Sequence, residues 1–208
     1  MNNFNLFESE NSGLLDEKGH TTLLKRLLNP KGMHQQWTLF LKSFITDVLH
    51  CDFDENSDWE IIQEVKSGRG RADLLIRTKD LSRVFVIENK IYGATGRQSQ
   101  LYRYWRNQIY KAQEKCKKKG LNHEGKLVYL TSDGSKPNKK SLIRPYSSNE
   151  KYANLPEILS TEENVLCISY KREISKWIGS CLCAINKPRN YRLYDTLKQY
   201  KEWIDCYL

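Results

Sequence analysis

Two carboxylates and one lysine occupy positions in this sequence where they could act together. Asp73 precedes the apolar run Leu74–Ile76, and Glu88 and Lys90 follow or end a second apolar run, Val84–Ile87. Glu88 and Lys90 are two positions apart, so on a β-strand both side chains project from the same face. Two neighbouring carboxylates repel each other unless a cation lies between them. We therefore expect a divalent-metal site with an adjacent ammonium group, a combination that can catalyse the cleavage of phosphodiester bonds.

A β-hairpin would bring the two carboxylates together. The segments Ala72–Arg77 and Val84–Glu88 have strand-like sequences and flank the polar turn Thr78–Ser82, an order typical of a hairpin. A turn centred on this segment places Asp73 opposite Glu88, with their Cβ atoms about 5 Å apart. The alternative is a solvated rim of charges at the ends of ordinary strands. The apolar residues on both faces favour a covered sheet, in which an unpaired charge is costly.

The composition indicates a soluble globular protein rather than a disordered or membrane-spanning one. The chain has 208 residues, of which 39% are hydrophobic and 28% charged, and we expect one domain over residues 1–208 with residues 1–12 frayed. No apolar stretch approaches the roughly 20 residues of a membrane helix. The N-terminus has no signal-peptide pattern, so we expect a cytoplasmic protein. None of the six cysteines forms a Cys-x-x-Cys pair, which argues against a zinc site.

The formal net charge of +9 favours a polyanionic partner. Much of this charge lies in two segments, one comprising Lys111, Lys115, Lys117, Lys118 and Lys119 and the other Lys136, Lys139, Lys140 and Arg144. For any single one of these residues, a solvated surface is the better explanation. Beside a candidate phosphodiesterase site, the two segments together favour contact with a nucleic-acid backbone.

The hydrophobic periodicity predicts the element order α-α-β-β-β-α-β-β-α-α, that is, a mixed sheet flanked by helices. Helices are predicted after Asp16, over residues 35–50 and 97–119, and around residues 174–182 and 193–203. Besides the hairpin, strands are predicted over residues 59–66, 126–131 and 165–169. Residues 134–164 have a loop-like composition.

Four motifs in this order carry a resemblance to a known family. They are an acid on the first helix, Asp73, Glu88-x-Lys90, and Gln100-x-x-x-Tyr104 on the following helix. The chain resembles the PD-(D/E)xK nuclease superfamily, whose restriction-endonuclease-like fold has an αβββαβ core. Here the resemblance implies an α/β fold with extra N- and C-terminal helices.

One branch of this superfamily is the most similar. It comprises bacterial and phage proteins with a Leu-Leu-(Asp/Asn)-Pro-x-Gly-x-His segment, which corresponds here to Leu27–His34. One departure from the superfamily pattern is Ala72, which stands where many members have proline before the aspartate. The superfamily tolerates this change widely.

The resemblance implies roles for the residues of the site. Asp73, Glu88 and the backbone carbonyl of Asn89 would hold Mg²⁺, with Mn²⁺ as a substitute, because such hard cations prefer oxygen ligands. Lys90 would orient the attacking water or help to deprotonate it. Glu17 would be the helix acid, reaching the metal directly or through water.

Several alternatives stay open at this stage. Asp16 and Glu10 are the other candidates for the helix acid, and Glu17 could simply place a negative charge at a helix N-terminus. Gln100 and Tyr104 lie one turn apart on one helix face, where they would contact the site or the substrate phosphate, or only pack together.

Three charged residues next to the hairpin are also candidates. Arg69 and Arg71 could bind substrate phosphate or could only be solvated at a sheet edge. Glu64, one strand earlier, could approach the metal, although an exposed carboxylate on a strand is the commoner case.

The favoured function is a Mg²⁺-dependent nuclease acting on DNA rather than RNA, in phage defence, mobile-element biology or repair. Cleavage of both strands would suit a homodimer. The alternative is a catalytically inactive nuclease-fold protein that binds nucleic acid or a protein partner, since a fold alone does not secure a function.

Overall fold

A five-stranded mixed sheet forms the centre of the protein. The computed structural model describes residues 16–93, 96–146 and 154–208, so the segment 1–12 that was expected to be frayed lies outside the described residues. The strands, in their order across the sheet, are β1 (Trp59–Ser67), β2 (Gly70–Thr78), β3 (Arg83–Lys90), β4 (Glu124–Thr131) and β5 (Val165–Ser169). Strands β1, β2 and β3 pair antiparallel, whereas β4 runs parallel to both β3 and β5.

Helices flank this sheet in the predicted order. They are α1 (Glu17–Leu28), α2 (Leu39–Ser43), α3 (Gln100–Tyr104), α4 (Lys111–Lys118), α5 (Lys139–Leu142), α6 (Ser175–Ala184) and α7 (Tyr191–Tyr207). Within the described ranges, three π-helical segments adjoin them: Phe44–Val48 extends α2, Trp105–Tyr110 joins α3 to α4, and Tyr170–Ile174 leads into α6.

Helices cover the sheet on both faces, which explains the continuous apolar runs of its central strands. Leu74 and Ile76 of β2 belong to a core cluster that includes residues of α1, α2, α6 and α7. Leu75, between them, points the other way and packs in a second cluster with Leu101 and Tyr104 of α3. This alternation follows from the two-residue period of a strand. The predicted fold class is thereby confirmed.

The hairpin has the register expected from its turn. Leu74 pairs with Ile87, and the pairs that follow it toward the turn keep the same offset. One further step along this register places Asp73 opposite Glu88, at the open end of the hairpin.

Two predicted helices begin later than expected, because left-handed residues precede them. The helix expected from residue 35 begins at Leu39, after Gln35 and Trp37 with φ of +56° and +51°. The helix expected from residue 97 begins at Gln100, directly after Ser99 with φ of +55°. A residue in the left-handed region cannot continue a right-handed helix, so these start positions were wrong.

The expected loop over residues 134–164 was also only partly correct. It contains the short helix α5, which is capped by the Asn138 side chain, and an antiparallel bridge between Ile143 and Ile158.

Candidate active site

Asp73 and Glu88 meet where the paired part of β2 and β3 ends. The Asp73 carboxylate accepts a hydrogen bond of 2.7 Å from the backbone N–H of Asn89, which joins the two strands beyond their last backbone pair. Glu88 is buried, with 1% of its surface exposed. The apolar strands thus carry a carboxylate into the interior, where it needs compensating partners.

Lys90 supplies the positive charge expected on the same face as Glu88. Its ammonium lies 2.9 Å from Glu88 Oε1 and 3.3 Å from Glu17 Oε2. It also donates a hydrogen bond of 3.0 Å to the backbone carbonyl of Asn89. The carbonyl expected as a metal ligand therefore has Lys90 as its partner in this structure.

Glu17, the first residue of α1, lies next to Lys90. Asp16 caps the helix by accepting a hydrogen bond from the Gly19 N–H, so it serves as an N-cap. Glu17, the next residue, lines the pocket. Glu10, the remaining candidate for the helix acid, lies outside the described residues.

Asn89 holds α1 against the sheet. Its side-chain amide donates hydrogen bonds to the Glu17 carbonyl (3.1 Å) and to Thr21 Oγ1 (3.2 Å). Because successive side chains of a strand point to opposite faces, Asn89 anchors the helix from one face while Glu88 and Lys90 face the pocket. This contact determines where the Glu17 carboxylate lies relative to Lys90.

Gln100 and Tyr104 are bonded into the site. Gln100 Nε2 donates to Glu88 Oε1 (2.7 Å) and to the Tyr104 hydroxyl (2.9 Å), and that hydroxyl donates to the carbonyl of Arg71 (2.6 Å). The pair therefore positions Glu88 and ties α3 to β2, which is more than simple packing. Whether it also contacts substrate stays a prediction.

Burial disfavours two negative charges in this pocket. Burial raises the pKa of Glu88 to about 8, and the neighbouring charge of Asp73 adds to the shift while Lys90 opposes it. Burial also raises the pKa of Asp73, against the opposing hydrogen bond from the Asn89 N–H and the charge of Lys90. Without a further cation, the pair thus favours holding a proton at neutral pH.

The same surroundings favour the charged form of Lys90. Burial by itself would lower the pKa of Lys90, but the carboxylates of Glu88, Asp73 and Glu17 outweigh it and hold that pKa above its usual value. Lys90 is therefore a fixed positive charge at neutral pH and needs a proton acceptor nearby before it can act as a base.

The expected arrangement is present: a half-buried Asp73 and a buried Glu88 on two strands, a lysine two residues beyond Glu88, and a glutamine–tyrosine helix. A sequence model described as the PD-(D/E)XK nuclease superfamily matches residues 4–202. The chain belongs to this superfamily. Comparison with curated proteins and with solved structures finds no significant match. Members of the superfamily generally hydrolyse phosphodiester bonds and generally use divalent metal ions such as Mg²⁺.

The residues of the pocket fit such a cation. Glu88 Oε2 and Glu17 Oε1 are buried carboxylate oxygens that have no hydrogen-bond partner among the described residues. Among those residues, no group of three His, Cys, Asp or Glu side chains is arranged to hold a metal, and the Lys90 ammonium pairs with both Glu17 and Glu88. The pair Asp73 and Glu88 therefore suits Mg²⁺, which is commonly held by one or two carboxylates and keeps several waters.

The other predicted residues divide between the pocket and the surface. Arg69 and Arg71 line the pocket, and Arg71 also pairs with Glu64 at 3.3 Å. Glu64 has φ of +55°, and the β1–β2 pairing skips it opposite Asp73. Its carboxylate contacts Lys18 and Arg71 and is not part of the pocket lining.

Sequence reasoning missed two further arginines of the pocket, Arg97 and Arg103. Arg103 lies three residues after Gln100 on the same helix, so helical spacing could have indicated it. Arg97 precedes that helix and is placed by tertiary structure alone.

The five lysines of the first charged segment are exposed, and none forms an ion pair within the described part of the chain. In the second segment, Lys136 pairs with Glu162 and Arg144 with Glu157. Over the described ranges, no helix combines the length and apolar character needed to span a membrane.

Proposed function

We propose that this protein is a Mg²⁺-dependent nuclease that hydrolyses phosphodiester bonds, with DNA favoured over RNA. The observation that carries the proposal is the state of the Glu88 carboxylate. One oxygen is held by Lys90 and Gln100, whereas the other is buried beside Asp73 with no partner among the described residues. Such an arrangement costs stability unless a cation compensates it.

The side chains of the pocket have distinct tasks in this proposal. Asp73 and Glu88 would hold the metal, with Glu17 as a further acid next to Lys90. When bound, Mg²⁺ would lower the pKa of a water molecule and neutralise charge on the phosphate. Lys90, fixed by Glu17 and Glu88, would orient the attacking water and stabilise negative charge on the phosphate oxygens.

The remaining polar contacts maintain the geometry. Gln100 fixes the Glu88 oxygen that faces Lys90, and Tyr104 connects α3 to the backbone of β2. Positioning of this kind contributes to the rate because reacting groups misplaced by about 1 Å can lose about 100-fold.

The test is digestion of linear and circular DNA, single- and double-stranded, and of RNA, with and without Mg²⁺. Lys90→Ala is the matched variant, because it removes the ammonium and leaves both candidate metal ligands. We expect Mg²⁺-dependent cleavage of DNA by the wild type and loss of cleavage in the variant. Salt-sensitive binding without cleavage would favour the inactive, nucleic-acid-binding alternative instead.

Other expectations from the sequence stay predictions. They are the cytoplasmic location, the single domain over residues 1–208, the homodimer, and the role in phage defence, mobile-element biology or repair.

A further inference from the structure

Arginine side chains form much of the wall of the active-site pocket. The cavity has a volume of about 660 Å³, and its lining includes Arg69, Arg71, Arg97 and Arg103 together with Lys90. Among the described residues, only three carboxylates, those of Glu17, Asp73 and Glu88, share that lining. Since a pair of these acids is the candidate metal site, the arginines leave an excess of positive charge for a second anion.

The tip of the β1–β2 hairpin brings Arg69 next to Arg103. Gly68, in this tip, has φ of +71°, which favours glycine. A Cβ atom there would lie 3.1 Å from Asn107 Nδ2 and 3.7 Å from Arg103 Cδ. The tip therefore packs directly on the helix that carries Arg103, and Arg69 follows in the same turn.

Three of these arginines have no acidic partner in the part of the chain that the structure describes. The guanidinium groups of Arg69, Arg97 and Arg103 make no ion pair or hydrogen bond with any described residue, whereas Arg71 and Arg77 are paired with glutamates. Burial lowers the pKa of Arg103, and the charges of Arg106 and Arg69 lower it further while Tyr104 opposes. The cluster is thus a group of like charges that an anion would stabilise.

The spacing of this cluster from the acids suits one nucleic-acid strand. Gln100 bonds to Glu88, and Arg103 lies three residues farther along the same helix, about 4.5 Å along its axis. The acids and these arginines line one pocket, so neighbouring phosphates of one strand can reach both groups at once. Planar guanidinium groups are well suited to bind phosphate through paired hydrogen bonds.

We propose that Arg69 and Arg103 bind a second phosphate of the substrate, adjacent to the phosphate that would be cleaved at Asp73, Glu88 and Lys90. This inference rests on the proposed nuclease function and specifies its substrate class. The substrate is a polynucleotide strand with at least two phosphates in the site, rather than an isolated phosphodiester or a cyclic nucleotide. The strand continues from Arg103 toward the exposed lysines of α4.

Binding in EDTA tests this subsite without any contribution from metal or turnover. A labelled single-stranded oligonucleotide is titrated at several salt concentrations with the wild type and with Arg69→Gln and Arg103→Gln. We expect each variant to bind about fivefold to tenfold more weakly, with a salt slope lower by about one. Arg189→Gln removes the same charge from the exposed connection between α6 and α7, outside the pocket, and should change neither quantity.

Competition by short oligonucleotides tests the number of phosphates. A trinucleotide has two phosphodiesters and a dinucleotide one, and the wild type should bind the trinucleotide about tenfold more tightly. Arg69→Gln should reduce that preference to about twofold. This is the statistical factor that remains when either of the two phosphodiesters of the trinucleotide can occupy a single site.

The outcomes separate this proposal from the nuclease proposal. Unchanged binding and salt slope in Arg69→Gln, or an equal loss in Arg189→Gln, would overturn the phosphate subsite even if the wild type cleaves DNA. Conversely, a wild type that shows the arginine effects but never cleaves would overturn the nuclease function alone. Arg69 lies in an exposed turn, so its variant tests the subsite even if Arg103→Gln folds poorly.

Discussion

Glu88→Gln should stabilise the metal-free protein at alkaline pH. The substitution preserves the shape of the side chain and an acceptor oxygen for Lys90 and Gln100. It removes the negative charge that burial and Asp73 disfavour. The glutamine amide can also donate a hydrogen bond toward Asp73, which lies beside the Glu88 oxygen that has no partner among the described residues.

The size and sign of the effect follow from the pKa of Glu88. Folding raises this pKa from 4.5 to about 8, so between these values the folded protein keeps a proton that the unfolded chain has lost. The free energy of unfolding of the wild type therefore falls as pH rises through this range. A change from 4.5 to about 8 corresponds to about 5 kcal/mol, which is the ceiling for the gain in the variant at pH 9.

The assay is urea unfolding in EDTA at pH 5 and pH 9. We expect Glu88→Gln to exceed the wild type by a few kcal/mol at pH 9 and to differ by about 1 kcal/mol or less at pH 5. Glu157→Gln is the control, because its carboxylate is 91% exposed and a surface change of this kind stays within about 0.5 kcal/mol. A variant that loses stability at pH 9 would refute the conclusion that the charged form of Glu88 destabilises the metal-free protein.

Three further predictions concern the metal, the lysines and the anchoring of α1. Cleavage should require Mg²⁺ or Mn²⁺ and stop in EDTA, while Ca²⁺ should raise the melting temperature with little turnover because of its looser geometry; full activity in EDTA would exclude the metal site. Replacing Lys115, Lys117, Lys118 and Lys119 together by glutamine should weaken the salt dependence of nucleic-acid binding. The slope of log affinity against log salt concentration should fall in magnitude by roughly one unit per lost phosphate contact, with little change in the cleavage rate at saturating substrate. These lysines lie about 20 Å or more along the helix axis from Gln100, so a collapse of the saturated rate would show that the site or the binding surface is misplaced. Asn89→Ala should lower the free energy of unfolding by about 2–3 kcal/mol in urea titrations, because it removes two hydrogen bonds to α1, one of them buried; an unchanged value would mean that α1 is held by its apolar contacts alone.

The hairpin shows what local sequence can predict. Its register followed from two apolar runs and the turn between them, because a shift by one residue would move every side chain to the opposite face. The same register, continued by one step, brings Asp73 and Glu88 together at the open end of the hairpin. The same two-residue period predicts that the side chain of Lys90 projects from the same face as that of Glu88.

Other features depend on tertiary structure that no local pattern contains. The left-handed conformation of Glu64 turns its carboxylate to Lys18 and Arg71, and nothing about a glutamate in a strand predicts this. Arg69 and Arg103 meet only because the hairpin tip packs on the helix at Gly68.

The cost of burying Glu88 likewise could not be estimated from sequence. It depends on which groups surround the carboxylate, and only the structure identifies them as Asp73, Lys90 and Gln100.

The single-turnover rate of DNA cleavage in Mg²⁺, compared between Asp73→Asn and Glu64→Gln, tests the central claim most directly. Both variants replace a carboxylate by its amide at facing positions of β2 and β1, but only Asp73 lines the pocket. We predict that Asp73→Asn loses about 100-fold or more, whereas Glu64→Gln stays within about threefold of the wild type. Wild-type cleavage by Asp73→Asn, or an equal loss in Glu64→Gln, would contradict the assignment of this pocket as the site of phosphodiester hydrolysis.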